Sequence, residues 1–101
     1  MSVLEVAVLT VRSGQSRQFE AAFQEAQRFI SSAEGYISHE LQRCLEVEDQ
    51  YLLLVRWRRL EDHRDGFRNS PAYQEWKQLL HHFYNPFPTV EHYVAVNSGA
   101  D

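Results

Sequence analysis

The 101-residue chain has little of several things that would announce a function. It has a single cysteine, Cys44, which excludes an internal disulfide and a cysteine-based zinc site and fits a reducing cytoplasm. It has no basic block beyond Arg56, Arg58 and Arg59, and these are interrupted by Trp57 and followed by Glu61 and Asp62. With a formal net charge of −4, nucleic acid is not an expected partner. It lacks a long uninterrupted apolar run. The opening MSVLEVAVLTV carries Glu5 inside it and no positively charged start, so it is expected to be neither a signal peptide nor a membrane span. Internal repeats and low-complexity segments are also missing.

What remains is globular in composition: 44% hydrophobic and 24% charged, which argues against disorder. Aromatics make up 13% and concentrate late in the chain. The length predicts one domain, over 1–97, with a modest core and a frayed tail at 98–101.

Val3 to Val11 has only Glu5 and Thr10 as polar members, the pattern of a strand apolar on both faces. After a turn at Arg12-Ser13-Gly14, with Ser13 or Ser16 as cap, Phe19, Ala22, Phe23, Ala26, Phe29 and Ile30 recur at helical spacing. That helix is expected to end near Ser32, with Gly35 giving a left-handed exit. Tyr36 to Leu45 alternates, with Ile37, His39, Leu41, Arg43 and Leu45 sharing one face and Tyr36, Ser38, Glu40, Gln42 and Cys44 the other. A polar connection leads to an apolar strand, Tyr51 to Trp57, so the two strands read as a hairpin. Leu60 to Phe67 is helical in pattern but short, because it holds Gly66. Ser70-Pro71 is a helix start, with Ser70 as cap and Pro71 at the first position. Ala72, Tyr73, Trp76, Leu79, Leu80 and Phe83 form one stripe; Asn85-Pro86-Phe87-Pro88 stops the helix; Val90 to Val96 is the last strand.

The order β-α-β-β-α-β is the ferredoxin-like arrangement: an α+β fold with an antiparallel four-stranded sheet and both helices on one face. The other face stays uncovered, yet strands one and three are apolar on both sides. The expected solution is a second copy packed sheet against sheet, a symmetric homodimer.

The chain resembles the antibiotic-biosynthesis-monooxygenase family of dimeric α+β barrels over nearly its whole length. The resemblance rests on Val55-Arg56-Trp57 ending an apolar strand, Leu60-Glu61-Asp62-His63, Asn69-Ser70-Pro71 opening the last helix, and Pro88-x-Val90-x-x-Tyr93. It implies a homodimer with one pocket per subunit, between sheet and helices. Some members oxidise aromatic phenols to quinones with O2 and no metal or organic cofactor; others degrade haem, oxidise quinols or process small signalling molecules. Haem-degrading relatives use an Asn in strand one, a Trp ending strand three and a His in the last helix. Here Trp57 matches, while Ala7 and Trp76-Lys77 stand near the other two places. Relatives that oxidise polycyclic phenols carry an Asn before the Trp and a Tyr after it; here Leu53 and His63 stand near those places.

Cofactor-free oxygenation, as the resemblance implies it, needs an aromatic-binding pocket and a group that favours the substrate anion, which itself reduces O2. Trp57, Phe67, Tyr73, Trp76 and Phe83 suit the first task, with His92 beside them as a ligand contact. His63, His39 and Arg43 are the candidates for the second. The competing structural roles are core packing for Trp57, Trp76 and Phe83, an interface place for His39, and a dimer-edge salt bridge for Arg43. Neighbouring His81 and His82 point roughly 100° apart on a helix, so no shared metal is expected and both read as edge residues. No cofactor is expected. The leading expectation is a monooxygenase of an aromatic or quinol-type molecule; the alternatives are a non-catalytic ligand-binding or sensing dimer, and haem binding.

Overall fold

The computed structural model describes residues 2–100; Met1 and the end of the expected tail, Asp101, lie outside the described residues. Strand β1 (Val3–Thr10) leads to helix α1 (Ser16–Ser31), then strands β2 (Tyr36–Arg43) and β3 (Gln50–Trp57). Helix α2 (Pro71–Leu80) and strand β4 (Val90–Tyr93) complete the fold. The four strands form one antiparallel sheet in the order β2-β3-β1-β4. This is the ferredoxin-like α+β arrangement, and the sheet is open rather than closed on itself.

β1 lies at the centre, between β3 and β4, and its two faces have separate fates. Glu5, Ala7 and Leu9 are buried toward the helices, as are Tyr51, Leu53, Val55 and Trp57 of β3. Side chains of period two put the alternate residues on the opposite face. There Val6 pairs with Leu54 and Val8 with Leu52, and no helix covers them; Val8 is 49% exposed. The uncovered apolar face expected from the strand pattern is present.

α1 presents Phe19, Phe23, Ala26 and Ile30 to the sheet, one residue per turn of its inward stripe. Phe19 is fully buried, which stabilises the fold by roughly 2–3 kcal/mol. The capping expectation needs correction. Gln15 occupies the N-cap without a side-chain bond, and the Ser16 hydroxyl instead donates to the Asp49 carboxylate across the fold. For α2 the expectation holds: the Ser70 hydroxyl accepts the Tyr73 N–H at 3.2 Å and Pro71 stands at the first helical position.

Three further details depart from the sequence reading. A bulge between Tyr36 and Ser38 shifts the phase of β2, so Tyr36 joins His39 on the inner face and Ile37 is turned outward. The last strand ends at Tyr93 rather than Val96, which is 98% exposed and has no partner strand. The segment expected as a short helix is a π-helical turn, Asp62–Gly66, followed by a 3-10 turn, Phe67–Asn69.

Candidate active site

The site begins with a charged residue on a buried strand face. Glu5 is 5% exposed, between Val55 on one neighbouring strand and His92 on the other. Its carboxyl is not left unpartnered. The Trp57 indole N–H donates to Glu5 Oε1 at 2.9 Å, and the same oxygen lies 3.3 Å from His63 Nε2. Burial raises the Glu5 carboxyl from 4.5 to about 7, against the smaller downward pull of the Trp57 hydrogen bond and the Arg68 charge.

His63 reaches Glu5 because of the π-helical turn. Consecutive residues on an α-helix diverge by roughly 100°. The wider turn instead buries both Asp62 and His63. Asp62 anchors it: its carboxylate accepts from Arg59 at 3.2 Å and fills the space over Gly35, where a Cβ would come within 2.1 Å of Oδ2. Gly35 is therefore required twice, by a φ of 85° and by the Asp62 side chain. With Asp62 seated, His63 stacks on Trp57 with ring centroids 5.2 Å apart.

The other nitrogen of His63, Nδ1, is 2.8 Å from His92 Nε2. Burial, then the charges of Arg68 and His92, push His63 down to about 3, so its imidazole is neutral at neutral pH. A neutral imidazole has one donor and one acceptor. Glu5, His63 and His92 thus form a continuous chain in which a proton leaving the carboxyl has a path to the half-buried His92. Burial also lowers His92, with Arg68 and Arg64 adding to it.

Beside this chain lies a cavity of about 390 Å³. Glu5, Ala7, Leu9 and Leu53 form its sheet side; His63, Phe67, Tyr73 and Trp76 form its opposite wall. Tyr84, His81, Phe87 and Pro88 close one end and Arg68 stands at its rim. Burial pushes the Tyr84 phenol up, and the Glu5 and Tyr73 charges add to this, so it stays a hydrogen-bond donor. Burial, then Lys77, lowers His81 to about 4.

Of the residues singled out in the sequence, His63, Phe67, Tyr73 and Trp76 line this cavity. Trp57 and His92 stand one layer behind, holding Glu5 and His63 respectively. Phe83 packs in the core against Phe19, with centroids 5.7 Å apart. His39 lies on the outer strand β2, between the Tyr36 hydroxyl and Gln27 Oε1, the latter at 2.9 Å. Arg43 sits at the end of β2 opposite Tyr51. Neither His39 nor Arg43 borders the cavity. His81, read as an edge residue, turns inward because the helix tightens into a 3-10 turn after Leu80. The sequence reading passed over Glu5, Arg68 and Tyr84. Glu5 had a usable signal: it is the charged member of an apolar strand, in phase with Ala7 and Leu9.

Comparison with known proteins agrees with this architecture. The family model described as antibiotic biosynthesis monooxygenase matches residues 2–79. An uncharacterised Bacillus subtilis (strain 168) protein, YczJ, is 55% identical over 91 residues, covering 90% of this chain and 96% of that protein. A Bordetella bronchiseptica structure named for the antibiotic biosynthesis monooxygenases superposes with a TM-score of 0.91 at 30% identity, covering 95% of this chain and 98% of that one. SnoaB, described as a cofactor-independent oxygenase from Streptomyces nogalater, shares the fold with a TM-score of 0.76 at 21% identity, over 96% and 95% of the two chains.

Proposed function

Starting from the chain's membership of the antibiotic biosynthesis monooxygenase family, we propose that it is a homodimeric oxygenase that uses O2 on an aromatic, phenol- or quinol-type molecule without a cofactor. The observation that carries this is a carboxyl poised near neutral pH on the wall of an aromatic-lined cavity. A general base works best when its pKa lies near the operating pH. Family likeness and the description of SnoaB support the oxygen chemistry.

In this reading the ligand ring lies among Phe67, Tyr73 and Trp76, and its hydroxyl gives a proton to ionised Glu5. His63 and His92 carry that proton outward. The phenolate passes one electron to O2. The resulting superoxide and aryloxyl radical join at a ring carbon as a peroxide anion, which regains a proton from solvent along the same path and becomes a hydroperoxide. Loss of water, which takes the hydrogen from that carbon, leaves a quinone carbonyl. One phenol and one O2 give one quinone and one water, with the substrate as the only reductant. Tyr84, held as a phenol, is placed to donate to oxyanion character that develops in the cavity.

The uncovered apolar face of β1 and β3 supports sheet-to-sheet pairing of two copies. The lone Cys44 fits a cytoplasmic setting. A haem reading would turn on His81, which borders the cavity and makes no side-chain hydrogen bond among the described residues; a Soret titration tests it.

The direct test offers hydroxynaphthalenes and hydroquinones to the purified protein under air and follows quinone absorbance and O2 uptake. One O2 per product is expected, with Glu5→Gln slower by about 10²- to 10⁴-fold. No rate above background across the panel refutes the oxygenase, and full activity in Glu5→Gln refutes Glu5 as its base. Tight binding without turnover returns the cavity to a carrier or sensor.

A further inference from the structure

Four arginines follow β3, and their fates differ: Arg58 is exposed and does not border the cavity. Arg59 is bonded to Asp62 at 3.2 Å. Arg64 makes two bonds to Asp65, each 3.1 Å long. Arg68 makes no salt bridge and no side-chain hydrogen bond among the described residues. The two acids nearest it in sequence, Asp65 and Asp62, are already matched to Arg64 and Arg59. Arg68 stands where the cavity meets solvent, and its charge is felt by Glu5, His63 and His92 together.

Its position is held from both sides. Phe67, the residue before it, is buried in the cavity wall against Trp57 and Tyr73. Ser70, two residues later, caps α2 and also donates to the Phe67 carbonyl at 2.6 Å. The backbone under Arg68 is thus fixed, and its five guanidinium donors are left at the rim.

Glu5 does not fill that role. It gives Oε1 to Trp57 and His63, and its carboxyl is half protonated near neutral pH. Glu5 and Arg68 border the same cavity, one buried and one exposed, so a ligand whose hydroxyl meets Glu5 can offer a second group to Arg68. The planar fork of donors matches the two oxygens of a carboxylate, which takes both bonds from one edge of the guanidinium. The cavity's size, about 390 Å³, suits a ligand of about two fused rings.

We propose that the ligand of this cavity is a hydroxylated aromatic carboxylic acid, anchored through its carboxylate by Arg68 at the rim and presenting its hydroxyl to Glu5 inside. This rests on the reading of the cavity as the ligand site and sharpens it to a substrate class. Arg68 acts as a specificity-determining residue, selecting acids over esters, amides and neutral phenols of the same shape.

The test measures binding without oxygen, so that turnover plays no part. Anaerobic calorimetry compares 6-hydroxy-2-naphthoic acid, its methyl ester and 2-naphthol on the wild-type protein, Arg68→Gln and Arg68→Lys. The acid is expected to bind wild type at least about tenfold more tightly than the ester, the scale of one charge-assisted contact. Arg68→Gln should close that gap, Arg68→Lys should keep part of it, and added salt should narrow it. Equal binding of acid and ester to wild type overturns the proposal. So does a preference for the acid that survives in Arg68→Gln, which would assign the anion to another group. Failure of all three compounds to bind overturns it as well. Quinone formation under air is read separately, so loss of the oxygenase reading would leave a positive result here intact.

Discussion

Replacing Glu5 with glutamine isolates the effect of one buried charge. The amide keeps the size of the side chain and a carbonyl oxygen for the Trp57 N–H, but it cannot ionise. In the wild-type protein burial raises the carboxyl from 4.5 to about 7. The folded chain therefore holds this proton to higher pH than the unfolded chain does. The stability from that proton is complete below 4.5 and is lost as pH rises through about 7. At roughly 1.4 kcal/mol per pH unit, the full loss is about 3 kcal/mol by pH 8. His63 has the opposite sign: its value falls from 6.5 to about 3, so its contribution is lost as pH falls through that window. It is present in both proteins, and their difference reports Glu5. Urea unfolding, followed by tryptophan fluorescence at matched protein concentration from pH 4.5 to 8.5, measures that difference. Glu5→Gln should match wild type at the acid end and exceed it by about 3 kcal/mol at pH 8. A difference that stays flat with pH refutes the reasoning, because it would mean that Glu5 ionises as freely folded as unfolded.

Other consequences are equally open to measurement. Trp57→Phe keeps an aromatic ring but removes the N–H that holds Glu5 down, so the acidic limb of the pH–rate profile should move up by about one pH unit; an unmoved limb would count against Glu5 as the base. Gly35→Ala meets both a φ of 85° and the Asp62 carboxylate. Denaturant unfolding should show a loss of at least about 2 kcal/mol, with only the collision part recovered by adding Asp62→Ala. Val8→Glu places a charge on the uncovered sheet face and should break the proposed sheet-to-sheet pair into monomers in analytical ultracentrifugation; a variant that still pairs would refute that face as the interface.

The architecture was legible because its signals are local and periodic. Phe19, Phe23, Ala26 and Ile30 keep helical spacing, and Ser70-Pro71 carries its cap in the sequence itself. The cavity was legible in part. His63 and the aromatics Phe67, Tyr73 and Trp76 lie in one stretch, so one stretch of sequence exposes them together. Glu5 and Trp57 are far apart in the chain and meet only through the β1–β3 pairing, where Glu5 stands opposite Val55. A lone acid in an apolar strand reads as an interruption until its partner is known. His39 misled for a different reason: the bulge at Tyr36/Ser38 gave it a hydroxyl and an amide as neighbours, and β2 is an outer strand set apart from the cavity. The inward turn of His81 depends on where the helix tightens, and simple helical periodicity does not mark that place.

The central strand has an evolutionary consequence. β1 offers Glu5, Ala7 and Leu9 to one side and Leu4, Val6 and Val8 to the other, within a single short run. Substitutions can alter either side alone, because alternate residues do not share neighbours. Insertions and deletions cannot. A change of one residue in length would carry the acid outward and bring valines to the cavity. Descendants of such a chain can reshape the cavity by point mutation, but the length of this strand should be held fixed across them. Diversity in length should collect instead in the connections around 44–49 and 85–89, outside the paired strands.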